Sequence, residues 1–395
     1  MLPPRRPTHR HRAHPARLLC ATTLLAAALV APAGSALADD CPAPGQWQQN
    51  GQPADAAELL AELAERRVVL LGERHERLAH HRWQLHTLAG LHAHEPRMAI
   101  GLEMLPREAQ PALDAWVAGE LDEADFLAES DWLGSWGYDP DAYLPILHFA
   151  RMQRIPLLAL NVTPALRQRI ADEGWEAVPP EERHAITPPA SASEGYREAL
   201  AEVYAYHPSA GNAEAGLERF IDAQLVWDRA MAQGLAEASA DTPLVVGLMG
   251  QGHVTYGHGV PHQLADLGIE QTATLLPWSE EESCTPPEGI ADALFILGDE
   301  APFEPAPPQR LGILIDAHEE GIRVVGVGEE SLAETLGLAE GDLIVEAAGR
   351  PLRRPAELTD LVRRQTPGTV LPLTVSRDGE REELLARFPL RNGAP

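Results

Sequence analysis

Five apolar runs stand out along the chain, each bounded by turn or helix-capping residues. They are Val68–Leu71, Met98–Leu102, Ile155–Leu160, Leu244–Met249 and Thr272–Leu276. Continuous runs of this kind are typical of parallel strands that are covered on both faces. The segments between them, such as "AAELLAELAERR" and "RLAHHRWQLHTLAGL", have the spacing of amphipathic helices. The alternation predicts an α/β domain with a mostly parallel sheet. Two long helical stretches, residues 107–153 and 161–241, are predicted to be insertions that cover this sheet.

The pattern changes in the last quarter of the chain. Prolines crowd into residues 302–308, and a stretch of this composition predicts a semi-rigid linker, which we assign to residues 291–308. Short strand-like segments follow, up to about residue 391. The sequence therefore predicts two domains, the α/β domain over residues 39–290 and a smaller one over residues 309–391.

The N-terminus has the features of a secretory signal peptide, predicted here as residues 1–38. Five arginines precede the apolar run Leu18–Ala31, and Ala36-Leu37-Ala38 fits a small-residue cleavage site. A lipoprotein is the alternative, but two aspartates stand directly before Cys41 and do not make a lipid-attachment motif. We therefore expect soluble export, to a bacterial periplasm or beyond the cell.

Cleavage would leave two cysteines, Cys41 and Cys284. In an oxidising compartment a single disulfide between them is expected, and two free thiols are the alternative. The whole chain has a formal charge of −28, and removal of a signal segment with five arginines and no acids would take it to −33. So acidic a protein is not expected to bind nucleic acid or anionic membranes.

Polar side chains follow four of the predicted strands at the point where each strand ends. Glu73 and His75 follow the first run, Glu103 the second, Asn161 the third and His253 the fourth. Since ligands of parallel sheets bind outside the carboxyl ends of the strands, we expect these side chains to share one site. A lone Glu or His at a strand end is more often a helix cap, so it is their convergence that predicts a functional site.

These residues resemble the ChaN-like family of iron-regulated haem-binding proteins. The resemblance rests on Gly72-x-x-His75, Gly250-x-x-His253 and Glu103, with further matches in "YLPILHFA", "LALN", "QLVWDRAMA" and "GVPHQL". It covers roughly residues 55 to 280. The wider superfamily includes erythromycin esterases and Tiki metalloproteases. Relatives are often lipoproteins, whereas no lipid anchor is expected on this chain.

The resemblance implies haem as cofactor, with iron held by a tyrosinate and two haems able to stack across a homodimer. Tyr138 and Tyr143 are the candidate ligands, Tyr143 being preferred for its "Y-x-P-I" context, and Trp136 is available to pack on a porphyrin face. The alternative is that both tyrosines only pack within the first insertion and hold no iron. His80, His81 and His86 could assist, although we expect histidines of this amphipathic helix to face solvent.

The same resemblance also implies a metal-dependent hydrolase as an alternative. His75 and His253 with Glu73 or Glu103 would then hold a divalent metal ion, leaving open positions for a water molecule. In a metal-free version, His75 would be a general base oriented by a carboxylate. The sequence has no G-x-S-x-G elbow and no G-x-G-x-x-G after the first strand, so acyl-serine chemistry and a dinucleotide site are not supported.

The C-terminal segments "RLGILID", "SLAETLGLAEGDLIVEAAGRPL" and "PAELTDLVRR" resemble a bacterial PDZ domain, a small α+β fold with a partly open β-barrel. The resemblance implies that amides around Leu311, Gly312 and Ile313 receive a peptide's terminal carboxylate. The strand Ile313–Ile315 would pair with the peptide, and the helix Pro355–Arg364 would form the other wall. The alternative is that this domain packs against the first domain and binds no peptide. Together, the features predict an exported haem- or iron-binding protein that recruits a partner's C-terminal peptide.

Overall fold

The computed structural model describes residues 41–206, 213–279, 281–298 and 308–390. The predicted signal peptide, residues 1–38, lies outside the described residues, as do residues 299–307 of the predicted linker. None of the helices in the described part of the chain is long and apolar enough to span a membrane.

An eight-stranded sheet forms the centre of the first domain. Its strands are β1 (Trp47–Gln49), β2 (Gln52–Ala54), β3 (Val68–Glu73), β4 (Met98–Pro106), β5 (Leu157–Asn161), β6 (Leu244–Gly250), β7 (Thr272–Trp278) and β8 (Ala293–Ile296). The strand order is β2-β1-β8-β7-β3-β6-β4-β5. All five predicted runs form strands, and neighbours from β8 to β5 pair in parallel. The predicted fold class is confirmed.

Ten α-helices of the described residues surround this sheet. They are α1 (Ala56–Leu63), α2 (Leu78–His94), α3 (Gln110–Ala118), α4 (Glu123–Glu129), α5 (Trp132–Ser135), α6 (Leu144–Gln153), α7 (Pro164–Glu173), α8 (Glu194–Ala205), α9 (Ala213–Ser239) and α10 (Val260–Asp266). Side chains such as Asp55 and Thr163, which accept hydrogen bonds from the first turns of α1 and α7, cap the helices. The two predicted insertions contain α3 to α6 and α7 to α9.

Alternate residues of each strand enter two separate apolar cores. On β3, Val69 and Leu71 pack with α1, α2, α3 and α6, whereas Val68 and Leu70 pack with α9 and α10. The strands are therefore covered on both faces, which is why they appear in the sequence as continuous apolar runs.

Two features of the sheet were not predicted. The short strands β1 and β2 form an antiparallel hairpin at one edge, and β1 pairs antiparallel with β8. Strand β8 lies inside the segment predicted as linker, so the first domain extends at least to Ile296. A disulfide joins Cys41 to Cys284, as expected, with Cα atoms 4.7 Å apart.

The second domain is a small antiparallel sheet with two helices. Its elements are β9 (Ile313–His318), β10 (Gly321–Val327), α11 (Leu332–Leu336), β11 (Leu343–Ala347), β12 (Arg350–Pro351), α12 (Pro355–Arg363), β13 (Val370–Arg377) and β14 (Glu380–Arg387). The order is β14-β13-β11-β10-β9, with β12 paired to β11, and the core is separate from that of the first domain. Strand β9 therefore lies at an edge of the sheet.

The contact between the two domains includes exposed ion pairs. Arg364, at the end of α12, lies 3.3 Å from Asp141, and Arg354, at the start of α12, pairs with Asp131. Both acids belong to the first insertion. Ion pairs exposed to water each contribute little to stability.

Candidate functional site

The carboxyl ends of β3, β4 and β6 bring the predicted polar residues to one edge of the sheet. Glu73 is in register with Gly250, at the end of β6, and β6 also pairs with β4, the strand that carries Glu103. His253 follows β6 in a short 3-10 turn, Gln251–His253. Residues distant in sequence thus lie together at the edge where β3, β4 and β6 end, as expected.

Glu73 is the centre of the first group of contacts and is only 1% exposed. Its Oε1 accepts hydrogen bonds from His75 Nδ1 at 2.8 Å and from the Tyr143 hydroxyl at 2.7 Å. Its Oε2 lies 3.1 Å from His81 Nδ1. Burial alone would raise the pKa of Glu73, but the hydrogen bonds and charges of the two histidines outweigh it and hold the pKa at about 2. Glu73 is therefore an anion at neutral pH.

The histidines in contact with Glu73 are correspondingly biased toward the protonated form. Burial lowers the pKa of His75, but the hydrogen bond to Glu73 and the charge of Glu103 outweigh burial and raise it. The pKa of His81 is raised in the same way by Glu73. His81 Nε2 also donates to the backbone oxygen of His75 at 3.0 Å, which fixes the turn after β3.

A second carboxylate–imidazole pair lies beside the first. His253 Nδ1 donates to Asp228 Oδ1 at 2.6 Å, and the Tyr196 hydroxyl donates to Asp228 Oδ2 at 2.7 Å. Burial disfavours the charged imidazole, but Glu103 and Asp228 outweigh it and raise the pKa of His253 to about 10. Asp228 and Tyr196 were not among the predicted site residues.

Glu103 lies between the two pairs. Its Oε2 accepts a hydrogen bond from the amide of Gly250 at 2.6 Å, while Oε1 lies 3.5 Å from His253 Nε2 and has no hydrogen bond within the described residues. A Cβ on Gly250 would fall 3.0 Å from His75 Cε1, so this glycine lets the ring approach the strand. Asn161, the fifth predicted residue, donates to the backbone oxygen of Glu103 and so supports the strand end.

Aromatic side chains border both pairs. The rings of Trp136 and Tyr138 have centroids 4.6 and 5.1 Å from that of His75. The ring of Trp227 meets that of His253 edge-on, with centroids 4.6 Å apart. The edge of the sheet thus combines ionised groups with apolar flat surfaces, a combination that suits a large planar ligand carrying charges.

The candidate haem ligands occupy different environments. Tyr143 is 2% exposed and hydrogen-bonded to Glu73, whereas Tyr138 is 39% exposed. His80 and His81 are buried, so the expectation that they face solvent was wrong. The physical reason is that this side of α2 packs against the charged end of β3. His86, on the opposite side of α2, is exposed as expected.

A metal site was the alternative use predicted for Glu73, His75, Glu103 and His253. Across residues 41–206, 213–279, 281–298 and 308–390, no group of three or more His, Cys, Asp or Glu side chains has an arrangement that could hold a metal ion. The predicted quartet is instead engaged in the two imidazole–carboxylate pairs, which extend to Asp228.

The three residues predicted to bind a peptide's carboxylate lie at the start of the second domain's edge strand. Leu311 is buried, Gly312 has a φ of +81° and Ile313 opens the edge strand β9. A Cβ on Gly312 would fall 2.4 Å from the Cβ of Ser331, so only glycine fits this turn. Helix α12, predicted to be the other wall of the peptide site, contacts β9.

Two family models match the chain. The model described as haem-binding uptake, Tiki superfamily, ChaN matches residues 59–264, and that of the PDZ domain matches residues 323–377. No curated protein matches the chain.

Among solved structures, one of cofacial haem binding to ChaN of Campylobacter jejuni has a TM-score of 0.53 at 16% identity, covering 63% of this chain and 95% of that one. An HtrA-type protease AlgW with a decapeptide matches at 25% identity and a TM-score of 0.20, over 22% of this chain and 30% of that one. The HtrA3 PDZ domain bound to a phage-derived ligand matches at 27% identity and a TM-score of 0.19, over 20% of this chain and 83% of that one.

Proposed function

This chain belongs to the ChaN family of haem-binding uptake proteins in the Tiki superfamily, and from that premise we propose that its first domain binds haem at the edge where β3, β4 and β6 end. The observation that carries the proposal is the half-exposed Tyr138 beside His75, next to the flat indole of Trp136. We further propose that the protein is exported and takes part in iron acquisition or haem handling.

Tyr138 is a better candidate for the iron ligand than Tyr143. Haem, when bound, supplies an iron that a hard, anionic phenolate oxygen can hold. Burial and the charge of Glu73 raise the pKa of Tyr143 far above its ordinary value, because a phenolate there would be desolvated beside an anion. Tyr138 is accessible to a ligand, and its ring lies beside that of His75, with centroids 5.1 Å apart. The residues present therefore fit the group.

The test is a titration of the purified protein with haem, followed at the Soret band. A saturable spectral change is expected in the unmodified protein, and a shifted band in Tyr138→Phe. Tyr143→Phe should keep the unmodified spectrum, as should Tyr206→Phe, a highly exposed tyrosine that serves as control. Absence of a saturable change in the unmodified protein would contradict haem binding. A shift in Tyr143→Phe alone would return the ligand role to that residue.

A hydrolase is the second candidate, and the two carboxylate–imidazole pairs favour it. A carboxylate on Nδ1 orients an imidazole and raises its basicity, so that Nε2 can move a proton to or from a substrate. Both imidazoles are held near Glu103, whose Oε1 lacks a hydrogen bond. A screen with ester and amide substrates, with metal analysis of the same samples, tests this candidate. Turnover that is lost in both His75→Ala and His253→Ala would support it.

The second domain is a PDZ domain, and we propose that its groove binds the C-terminal peptide of a partner protein. Strand β9 lies at an edge of the sheet and so can pair with an added peptide strand, and the left-handed turn at Gly312 directly precedes it. Peptides with a free C-terminus should bind, and the same peptides with an amidated C-terminus should not. Equal binding of the two forms would contradict recognition of the carboxylate.

Export rests on the predicted signal peptide and on the disulfide between Cys41 and Cys284. Disulfides persist in oxidising compartments and are rare in the cytosol. The experiment is cell fractionation together with N-terminal sequencing of the mature chain, with Asp39 as the expected first residue. A mature protein that keeps residues 1–38 and stays in the cytosol would contradict export.

A further inference from the structure

Among the described residues of the first domain, three arginines stack on tryptophan rings, and one of them differs from the others. The guanidinium carbons lie 4.4 to 4.5 Å from the ring centroids in Arg151–Trp116, Arg183–Trp175 and Arg167–Trp227. Arg151 also donates to the backbone oxygen of Leu121, and Arg183 to that of Val178. The guanidinium of Arg167 has neither a hydrogen bond nor an ion pair with any residue that the structure describes. It is a half-buried cation held on an indole alone.

Arg167 borders the site described above. Its platform, Trp227, is the same ring that meets His253 edge-on at 4.6 Å. Burial lowers the pKa of Arg167, and the negative charge of Glu103 opposes this lowering. The guanidinium therefore interacts electrostatically with Glu103. A partly desolvated charge without a hydrogen-bonding anion costs free energy that a bound anion would recover.

The charge of the rest of the site limits which ligand group can lie here. Glu73, Glu103 and Asp228 are all buried at the same edge, and the whole chain carries −28. An anionic ligand is repelled by these charges except next to a cation that is not already paired. Arginine suits this role because its planar fork binds a carboxylate with two parallel hydrogen bonds while it stays stacked on an aromatic ring.

We propose that Arg167, stacked on Trp227, receives a propionate carboxylate of the bound haem. The inference rests on the proposed haem function, because it names the group that orients the same ligand. Arg167 is thus assigned as an orienting and specificity-determining residue, next to the ring that contacts His253, whereas Tyr138 contacts His75. The tryptophan keeps the side chain in place before the ligand arrives, which reduces the entropy lost on binding.

The experiment compares haem with haem dimethyl ester, in which both propionates are uncharged. Each is titrated into the unmodified protein and into Arg167→Gln, with dissociation constants taken from the Soret band. The unmodified protein should bind haem about tenfold more tightly than the ester, since a charge-assisted hydrogen bond is lost. Arg167→Gln should bind haem about tenfold more weakly and should no longer discriminate between the two ligands.

Two further variants keep the result interpretable. Arg169, on the same helix α7, pairs with Glu173 at 3.2 Å, and Arg169→Gln should bind both ligands like the unmodified protein. Arg167→Lys, which keeps the charge, should retain part of the preference for haem. Absence of haem binding by the unmodified protein would refute the proposed function. Haem binding that is as tight in Arg167→Gln as in the unmodified protein would refute only the role of Arg167.

Discussion

His80 makes the stability of the first domain sensitive to acid, and His80→Asn should remove this sensitivity. The ring is 3% exposed, and its Nδ1 accepts a hydrogen bond from the amide of Arg74 at 3.1 Å, which requires an unprotonated nitrogen. Burial, together with the charge of Arg77, lowers the pKa of His80 from 6.5 to about 4. Asparagine can offer an acceptor to the same amide but does not titrate.

The sign and size of the effect follow from these two pKa values. Because the folded state holds His80 neutral down to about pH 4, the unfolded chain binds the proton first as the pH falls. The stabilisation is therefore fully present above pH 6.5 and is lost as the pH falls through 4. At about 1.36 kcal/mol per pKa unit, the difference amounts to about 3 kcal/mol in acid and to about 2 kcal/mol between pH 7 and pH 4.5.

Urea denaturation at pH 7, 5.5 and 4.5 measures this difference. His75 and His81 have raised pKa values, so their contribution is present below pH 6.5 and is lost at higher pH, opposite in sign to that of His80. Comparison with the variant cancels their effect. The exposed His86 gives the matched control, since His86→Asn on the same helix should follow the unmodified protein. An unfolding free energy of His80→Asn that falls as steeply with acid as that of the unmodified protein would refute the reasoning.

Three other predictions concern single contacts. Replacing Cys41 and Cys284 together by serine should lower the unfolding free energy by about 5 kcal/mol, since the disulfide closes a loop with a sequence separation of 243 residues; urea midpoints under oxidising conditions measure this. Gly312→Ala should weaken peptide binding by tenfold or more, because the new Cβ would meet a neighbouring side chain at 2.4 Å; fluorescence anisotropy of a labelled peptide tests it. Tyr143→Phe should cost about 2 kcal/mol through the lost hydrogen bond to Glu73, and thermal denaturation that leaves the midpoint unchanged would contradict this.

The central strands were predictable because they are buried on both faces. Burial on both faces demands an uninterrupted apolar run, and such runs are visible without any knowledge of neighbours. Strand β8 escaped prediction because four residues, Ala293–Ile296, near a proline-rich stretch do not form a distinctive pattern. The hairpin of β1 and β2 is shorter still, and the register of Trp47 with Phe295 joins residues that only the folded chain brings together.

The site was predictable only where its residues follow strands. Glu73, Glu103 and His253 were found because strand ends of a parallel sheet share one edge. Asp228 lies within helix α9 and Arg167 within helix α7. In a helix, the spacing of apolar residues predicts which face is buried, but it does not predict which residues that face contacts. The segment "QLVWDRAMA" contained Asp228 and contributed to the family resemblance, yet nothing local distinguishes a carboxylate that binds a histidine 25 residues away from one that faces water.

The energetics of the buried charges favour a functional reason for their presence over a structural one. Glu73, Glu103 and Asp228 are all at most 1% exposed, and removing such groups from water costs several kcal/mol each. At Asp228 the contacts with His253 and Tyr196 do not fully offset this cost, because burial keeps the pKa of that carboxyl raised. Well-packed apolar residues at these positions would stabilise the sheet edge as well or better. One oxygen of Glu103 lacks a hydrogen bond within the described residues, which is a cost that folding alone does not require. A cluster of this kind is therefore better explained by what it holds or protonates than by any contribution to stability.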